Sequence, residues 1–156
     1  MTSPGRRRHR LDSCQYSDIG CLCQKADTKT RSIIMPVTGP DFISLQARDL
    51  DASQAFYEQY LGLVRAQAGP PHAVVFETKP IAFALRDIVP GTDLASTAQP
   101  GIGTAIWLHA TDVQAIHDAL VADGHTIVSA PIDGPFGRTF TFADPDGYRI
   151  TLHDRA

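Results

Sequence analysis

The chain has 156 residues, 43% of them hydrophobic, and a formal net charge of −3. That length and apolar share suit one globular domain with a single core, and no apolar run reaches the roughly 18 to 20 residues needed to cross a bilayer. Seven Arg and Lys against three Asp precede Met35, which leaves seven basic and fourteen acidic residues for the rest; so acidic a body argues against nucleic acid as partner and suits a cationic or neutral small ligand.

Arg6, Arg7, Arg8, His9 and Arg10 open onto Leu11, Asp12, Ser13 and Cys14 rather than an apolar stretch, so a cytoplasmic protein without a secretion signal is expected. The three cysteines, Cys14, Cys21 and Cys23, all fall in this segment, and with His9 their spacing is irregular for a four-ligand zinc site. Residues 1–38 therefore read as a disordered basic extension, and Met35 stands directly before the onset of ordered patterning.

From Phe42 the side chains alternate, with Ile43, Leu45 and Ala47 on one face and Phe42, Ser44 and Gln46 on the other, which predicts a strand. Asp49 offers an acceptor for the free amides of a helix, Asp51 favours its positive end, and Leu50, Ala55, Phe56 and Tyr60 follow near helical spacing until Gly62 stops it. Further extended stretches are predicted at 63–66, 73–78 and 81–86, with breaks at Gly69-Pro70-Pro71 and Lys79-Pro80. A loop rich in Pro, Gly, Ser and Thr then runs to Gly101.

The same grammar restarts with a strand at 105–110, Asp112 as cap, Val113, Ile116 and Leu120 along a helix face, and Gly124 as stop. Phe42 maps to Ala105 and Asp49 to Asp112 with one offset of 63, which indicates a duplicated unit. Strands are predicted at 126–128, 138–142 and 148–153, the last two joined by a tight turn at Asp144-Pro145-Asp146-Gly147. The reading is an α+β domain over residues 39–156, with module one at 41–87, a linker at 88–103 and module two at 104–154.

Asp49-Leu50-Asp51-Ala52-Ser53 followed by Phe56-Tyr57 and Leu61-Gly62 resembles the first-module signature of the vicinal oxygen chelate superfamily, which includes glyoxalases, bleomycin-resistance proteins and extradiol dioxygenases. Gly134-Pro135-Phe136-Gly137-Arg138 with Asp144-Pro145-Asp146-Gly147-Tyr148-Arg149-Ile150 resembles its closing hairpin. The resemblance implies two βαβββ modules whose mixed sheets curve around a central cavity, helices on the outer faces, and often a homodimer.

Metal-dependent members of that family place His near the start of each module's first strand and an oxygen ligand on each module's last. Those positions fall here on Phe42, Ala105 and Thr151, and 81–86 holds neither acid nor His, so no metal and no cofactor are expected. Matching Ala105 with Thr151 puts Trp107 beside His153 and His109 near Arg155. His72, His117 and His125 read as solvent-exposed imidazoles.

Alternation and the implied fold place Phe42, Ser44, Gln46, Trp107, His109, Thr139, Thr141, Thr151 and His153 on the cavity side, a mixture of aromatic planes and hydrogen-bonding groups expected of a small-molecule pocket. His153 is the candidate general base if a reaction occurs. Two functions remain open. One is a metal-free binding protein of bleomycin-resistance character that sequesters a drug or metabolite; the other is a metal-dependent lyase, isomerase, dioxygenase or thiol transferase with unusual ligands. The ligand vacancies favour the first, with a small molecule and a second copy of the chain as partners, and neither nucleic acid nor membrane.

Overall fold

The computed structural model describes residues 37–155. Cys14, Cys21, Cys23 and the rest of the chain up to residue 36 lie outside the described residues. Strand β1 (Phe42–Ala47) leads through Arg48 and Asp49 into helix α1 (Leu50–Leu61). The Asp49 carboxylate accepts from the backbone N–H of Ala52 at 3.0 Å, and Gly62 ends the helix in the left-handed region at φ 63°, which glycine adopts without steric cost. Ser53, Phe56 and Tyr57 are the buried residues of this helix, whereas Ala55 is exposed. Tyr57 enters the core although its hydroxyl is polar, because that hydroxyl finds a buried acceptor in the closing hairpin.

Strands β2 (Ala73–Phe76) and β3 (Ala82–Asp87) complete the first sheet, ordered β1-β3-β2, with β1 parallel and β2 antiparallel to β3. The extended stretch expected at 63–66 forms only a bridge between Arg65 and Phe76. Two hydrogen bonds, Ala66 N–H to the Val75 carbonyl and Glu77 N–H to the Val64 carbonyl, both 2.8 Å, carry the pairing before Gly69 and Pro70 turn the chain away. The first module is thus βαββ with a bridged edge.

The linker is packed rather than free. Leu94 enters the core, Pro100 is buried, and Asp93 accepts from the N–H groups of Ala95 and Ser96. The second sheet follows as β4 (Ile106–His109), β5 (Ile127–Gly134), β6 (Gly137–Ala143) and β7 (Arg149–His153), in the order β4-β7-β6-β5. Helix α2 (Val113–Ala122) is capped by Asp112, buries Val113 and Leu120, and stops before Gly124. Among the described residues no helix is long and apolar enough to cross a membrane.

The sheets do not close into a barrel. Their inner rows, Leu45, Phe83 and Leu85 in one and Phe140, Phe142, Ile150 and Leu152 in the other, share one core with Phe56, Tyr57 and Leu120 of the helices. The opposite face of each sheet is left more open, with Phe42 53% and Trp107 45% exposed. His125 is not solvated as expected; it packs edge-on against Phe56 and Tyr60. His117 likewise lies against Phe140, whereas His72 is exposed.

Two buried acids tie the modules together. Asp144 and Asp146, each 6% exposed, sit in the β6–β7 turn. Asp144 accepts from the Tyr57 hydroxyl at 2.7 Å and from the N–H groups of Asp146 and Tyr148. Asp146 accepts from the Ser53 hydroxyl and from the Arg48 backbone N–H, both at 2.8 Å, and from Arg48 Nε at 3.0 Å. Burial pushes the Asp144 carboxyl up to about 6, although the Tyr57 and backbone donors pull the other way, and burial with the nearby Asp144 charge pushes the Tyr57 phenol up.

An acid whose folded-state affinity for its proton is raised binds that proton more tightly folded than unfolded, so its contribution to stability grows as pH falls from about 7 to about 5 and is lost as pH rises through about 6. Asp144→Asn retains the acceptor for the two backbone N–H groups but cannot titrate. Urea unfolding at both pH values therefore shows a wild-type gain toward low pH that Asp144→Asn lacks; parallel profiles for the two proteins would count against this assignment.

Candidate binding site

The β4–β7 register decides which side chains meet. Ile106 pairs with Ile150, Trp107 with Thr151, Leu108 with Leu152 and His109 with His153. This corrects the expected register, which paired Trp107 with His153 and His109 with Arg155, although Trp107 and His153 remain neighbours on the diagonal. The error is two residues, and because side chains alternate with period two, such a slip leaves every residue on its face and is invisible to alternation. The observed register aligns Ile106 and Leu108 with Ile150 and Leu152 on the core side, and the Ala110 N–H to His153 carbonyl bond at 2.8 Å extends it.

His109 and His153 consequently lie with ring centroids 5.6 Å apart. Trp107 is 5.9 Å from the His153 ring and 5.3 Å, edge to face, from Phe136 of the β5–β6 turn. The His153 Nδ1 is 2.9 Å from the Arg155 carbonyl, which can only accept; Nδ1 therefore carries the hydrogen, and in the neutral ring Nε2 is left as an acceptor. Trp107, His109 and His153 line a cavity of about 350 Å³ together with Thr78, Lys79 and Pro80 of the turn before β3 and the apolar side chains of Ile43, Leu63 and Phe83. Such a chamber, largely apolar with a few polar groups, has the make-up and size of a site for a small organic molecule.

The nine residues expected at the site divide into three groups. Trp107, His109 and His153 come together in this cavity. Phe42 and Ser44 line a separate one with Pro70, Pro71 and Arg86. The remaining four spend polar atoms within the protein. The Thr141 and Thr151 hydroxyls bond each other at 2.8 Å, Thr139 reaches the Ile132 carbonyl at 3.5 Å, and the Gln46 side-chain oxygen accepts from Val89 N–H at 2.7 Å. Phe136 and the Lys79-Pro80 turn were missed, since each sits in a break between elements, where alternation says nothing, and Leu63 was missed because it was read only as the start of an extended stretch. Arg86 could have been found: on β3 it shares the face of Ala82 and Ala84, opposite Ser44 and Gln46 of β1.

The family model of the Glyoxalase/Bleomycin resistance protein/Dioxygenase superfamily matches residues 39–152, and the chain belongs to that superfamily. Among solved structures it is similar to a lactoylglutathione lyase from Agrobacterium tumefaciens, at 23% identity over 76% of this chain and 95% of that one, with a TM-score of 0.54. TnmS3, an antibiotic binding protein from Streptomyces sp. CB03234, is 24% identical over 78% and 99% of the two chains, with a TM-score of 0.59. A glyoxalase/bleomycin resistance protein from the same Streptomyces strain is 25% identical over 74% and 100%, with a TM-score of 0.58. No curated protein sequence matches the chain.

The metal of the metal-dependent relatives is not supported by the donors present. Phe42, Ala105 and Thr151 offer a phenyl, a methyl and a neutral hydroxyl, and among the described residues no three His, Cys, Asp or Glu stand close enough to hold an ion. His109 and His153 are a pair without a carboxylate.

Gly137 holds the β5–β6 turn that places Phe136 on Trp107. Its φ of 77° suits glycine, and a Cβ there would collide with the Asp154 carboxylate, which accepts the Arg138 N–H at 2.9 Å. Gly137→Ala should cost roughly 1–3 kcal/mol of stability and loosen the turn, read out as a lower melting temperature and altered Trp107 fluorescence. An unchanged melting temperature and emission would show that Gly137 is dispensable for the turn.

Proposed function

We propose that the chain is a small-molecule binding protein that sequesters a planar, largely apolar drug or metabolite in the Trp107 cavity without metal. The observation that carries this reading is the aromatic chamber itself: Trp107 backed by Phe136 on one side, apolar Ile43, Leu63 and Phe83 on the other, and the His153 Nε2 as an acceptor for a ligand N–H or O–H. A half-exposed indole held by neighbouring rings loses little rotamer freedom on binding, which favours stacking of a flat ligand. The donor set, two imidazoles and no carboxylate, disfavours the chelating-substrate enzymes of the superfamily. The same architecture accompanies antibiotic binding in TnmS3. A second copy of the chain is part of the proposal, because Ile132 and Phe136 of the β5–β6 hairpin leave more than half of their surface exposed on one chain.

Trp107 is the sole tryptophan, so the full chain reports on its own site. Titration with planar aromatic antibiotics should quench its emission saturably, with the same affinity before and after a chelator. Trp107→Ala, followed by calorimetry, should weaken the same ligand at least about tenfold, the scale of a lost aromatic anchor. Stoichiometric bound metal, with binding or turnover abolished by the chelator, would sink the metal-free reading.

A further inference from the structure

The second cavity lies on the open face of the first sheet and has a different chemistry. Phe42, Pro70, Pro71 and Val75 supply apolar walls to a space of about 280 Å³, and Ser44, His72 and Arg86 supply its polar atoms. The register opposes Arg86 to Gln46 on one side and to Ala73 on the other, so its side chain leaves β3 over the small Ala73. Among the described residues, the guanidinium groups of Arg48, Arg65, Arg138 and Arg155 each donate to a protein oxygen. Those of Arg86 and Arg149 do not, and of the two only Arg86 lines this cavity. The nearest acid in sequence, Asp87, has its carboxylate engaged at 3.1 Å by the Nδ1 of His72, itself a wall of this cavity.

We propose that this cavity is a binding site for the anionic end of a small apolar molecule, whose carboxylate or phosphate is taken in two-pronged fashion by the Arg86 guanidinium, with the Ser44 hydroxyl on the same face as a further donor and Phe42 and the two prolines holding the apolar body. A planar fork of N–H donors matches two oxygens of one anion, and a guanidinium without a protein acceptor gives up no existing bond to bind it. The site is local in its charge preference. The body from Met35 onward is acidic overall, so the anion is selected by contact with Arg86 and not by the field of the protein. This inference is independent of the Trp107 cavity and survives or falls without it.

The test uses the full chain and three probes of one ring system at low salt: naphthoate, naphthyl phosphate and the neutral naphthylmethanol, each followed by calorimetry. At least one anion should bind about tenfold more tightly than the neutral probe, the scale of a charge-assisted hydrogen-bonded pair. Which anion shows the preference assigns the site to carboxylates or to phosphates. Arg86→Met should bring the anion down to the affinity of the neutral probe, and Arg86→Lys, which keeps the charge but not the fork, should fall between. Trp107→Ala should leave the preference intact. Equal affinities for the three probes, no measurable binding of either anion, or a preference that persists in Arg86→Met with native circular dichroism would each overturn the proposal.

Discussion

The structure hangs on the buried carboxylate pair of the closing hairpin. Asp144 and Asp146 are far apart in sequence from Tyr57, Ser53 and Arg48, yet the two acids accept from all three, so helix α1 and the chain just before it are held against the second module. Burying two acids two residues apart is costly, and the cost is offset only because each oxygen has a donor. The Tyr148 hydroxyl accepts the Gln46 N–H at 3.3 Å, and the Gln46 side chain holds Val89, so β1 and the start of the linker are drawn into the same network. Among the described residues no buried side-chain polar atom lacks a partner.

That clamp sets where open space is left. With the helices and the inner rows of both sheets committed to one core, the cavities lie on the open face of the first sheet and at the seam beside β4. The seam gathers the Trp107, His109 and His153 rings, whose mutual contacts fix the indole, and the open face of the first sheet carries Arg86. The two spaces differ in their linings, aromatic rings with the Lys79-Pro80 turn in one and Arg86 with Phe42 and two prolines in the other.

The relation of this chain to catalytic relatives turns on side chains rather than on fold. The strands that carry ligands in metal-dependent members are present, but Phe42, Ala105 and Thr151 lack the donor atoms that coordination needs. The chain thus keeps the architecture of the superfamily with different side chains at those three positions. His153 lines the Trp107 cavity, with its Nδ1 committed to a backbone carbonyl.

The sequence by itself determined the element types apart from the stretch at 63–66, the two helix caps, the tight turn at Asp144 to Gly147 and the duplicated plan, because these rest on local rules: alternation, a side-chain oxygen at a helix start, glycine at a left-handed stop. Tertiary structure decided the rest. The two-residue slip that brings His109 to His153 keeps every side chain on its face, so no pattern in β4 or β7 could reveal it. Asp144 and Asp146 read locally as turn formers, and only the approach of α1 makes them buried acceptors for Tyr57 and Ser53. Arg86 was visible as a charge on a strand, but that it has no acceptor among the described residues and stands over a cavity depends on how the Pro70-Pro71 turn folds back, a long-range matter on which local propensity is silent.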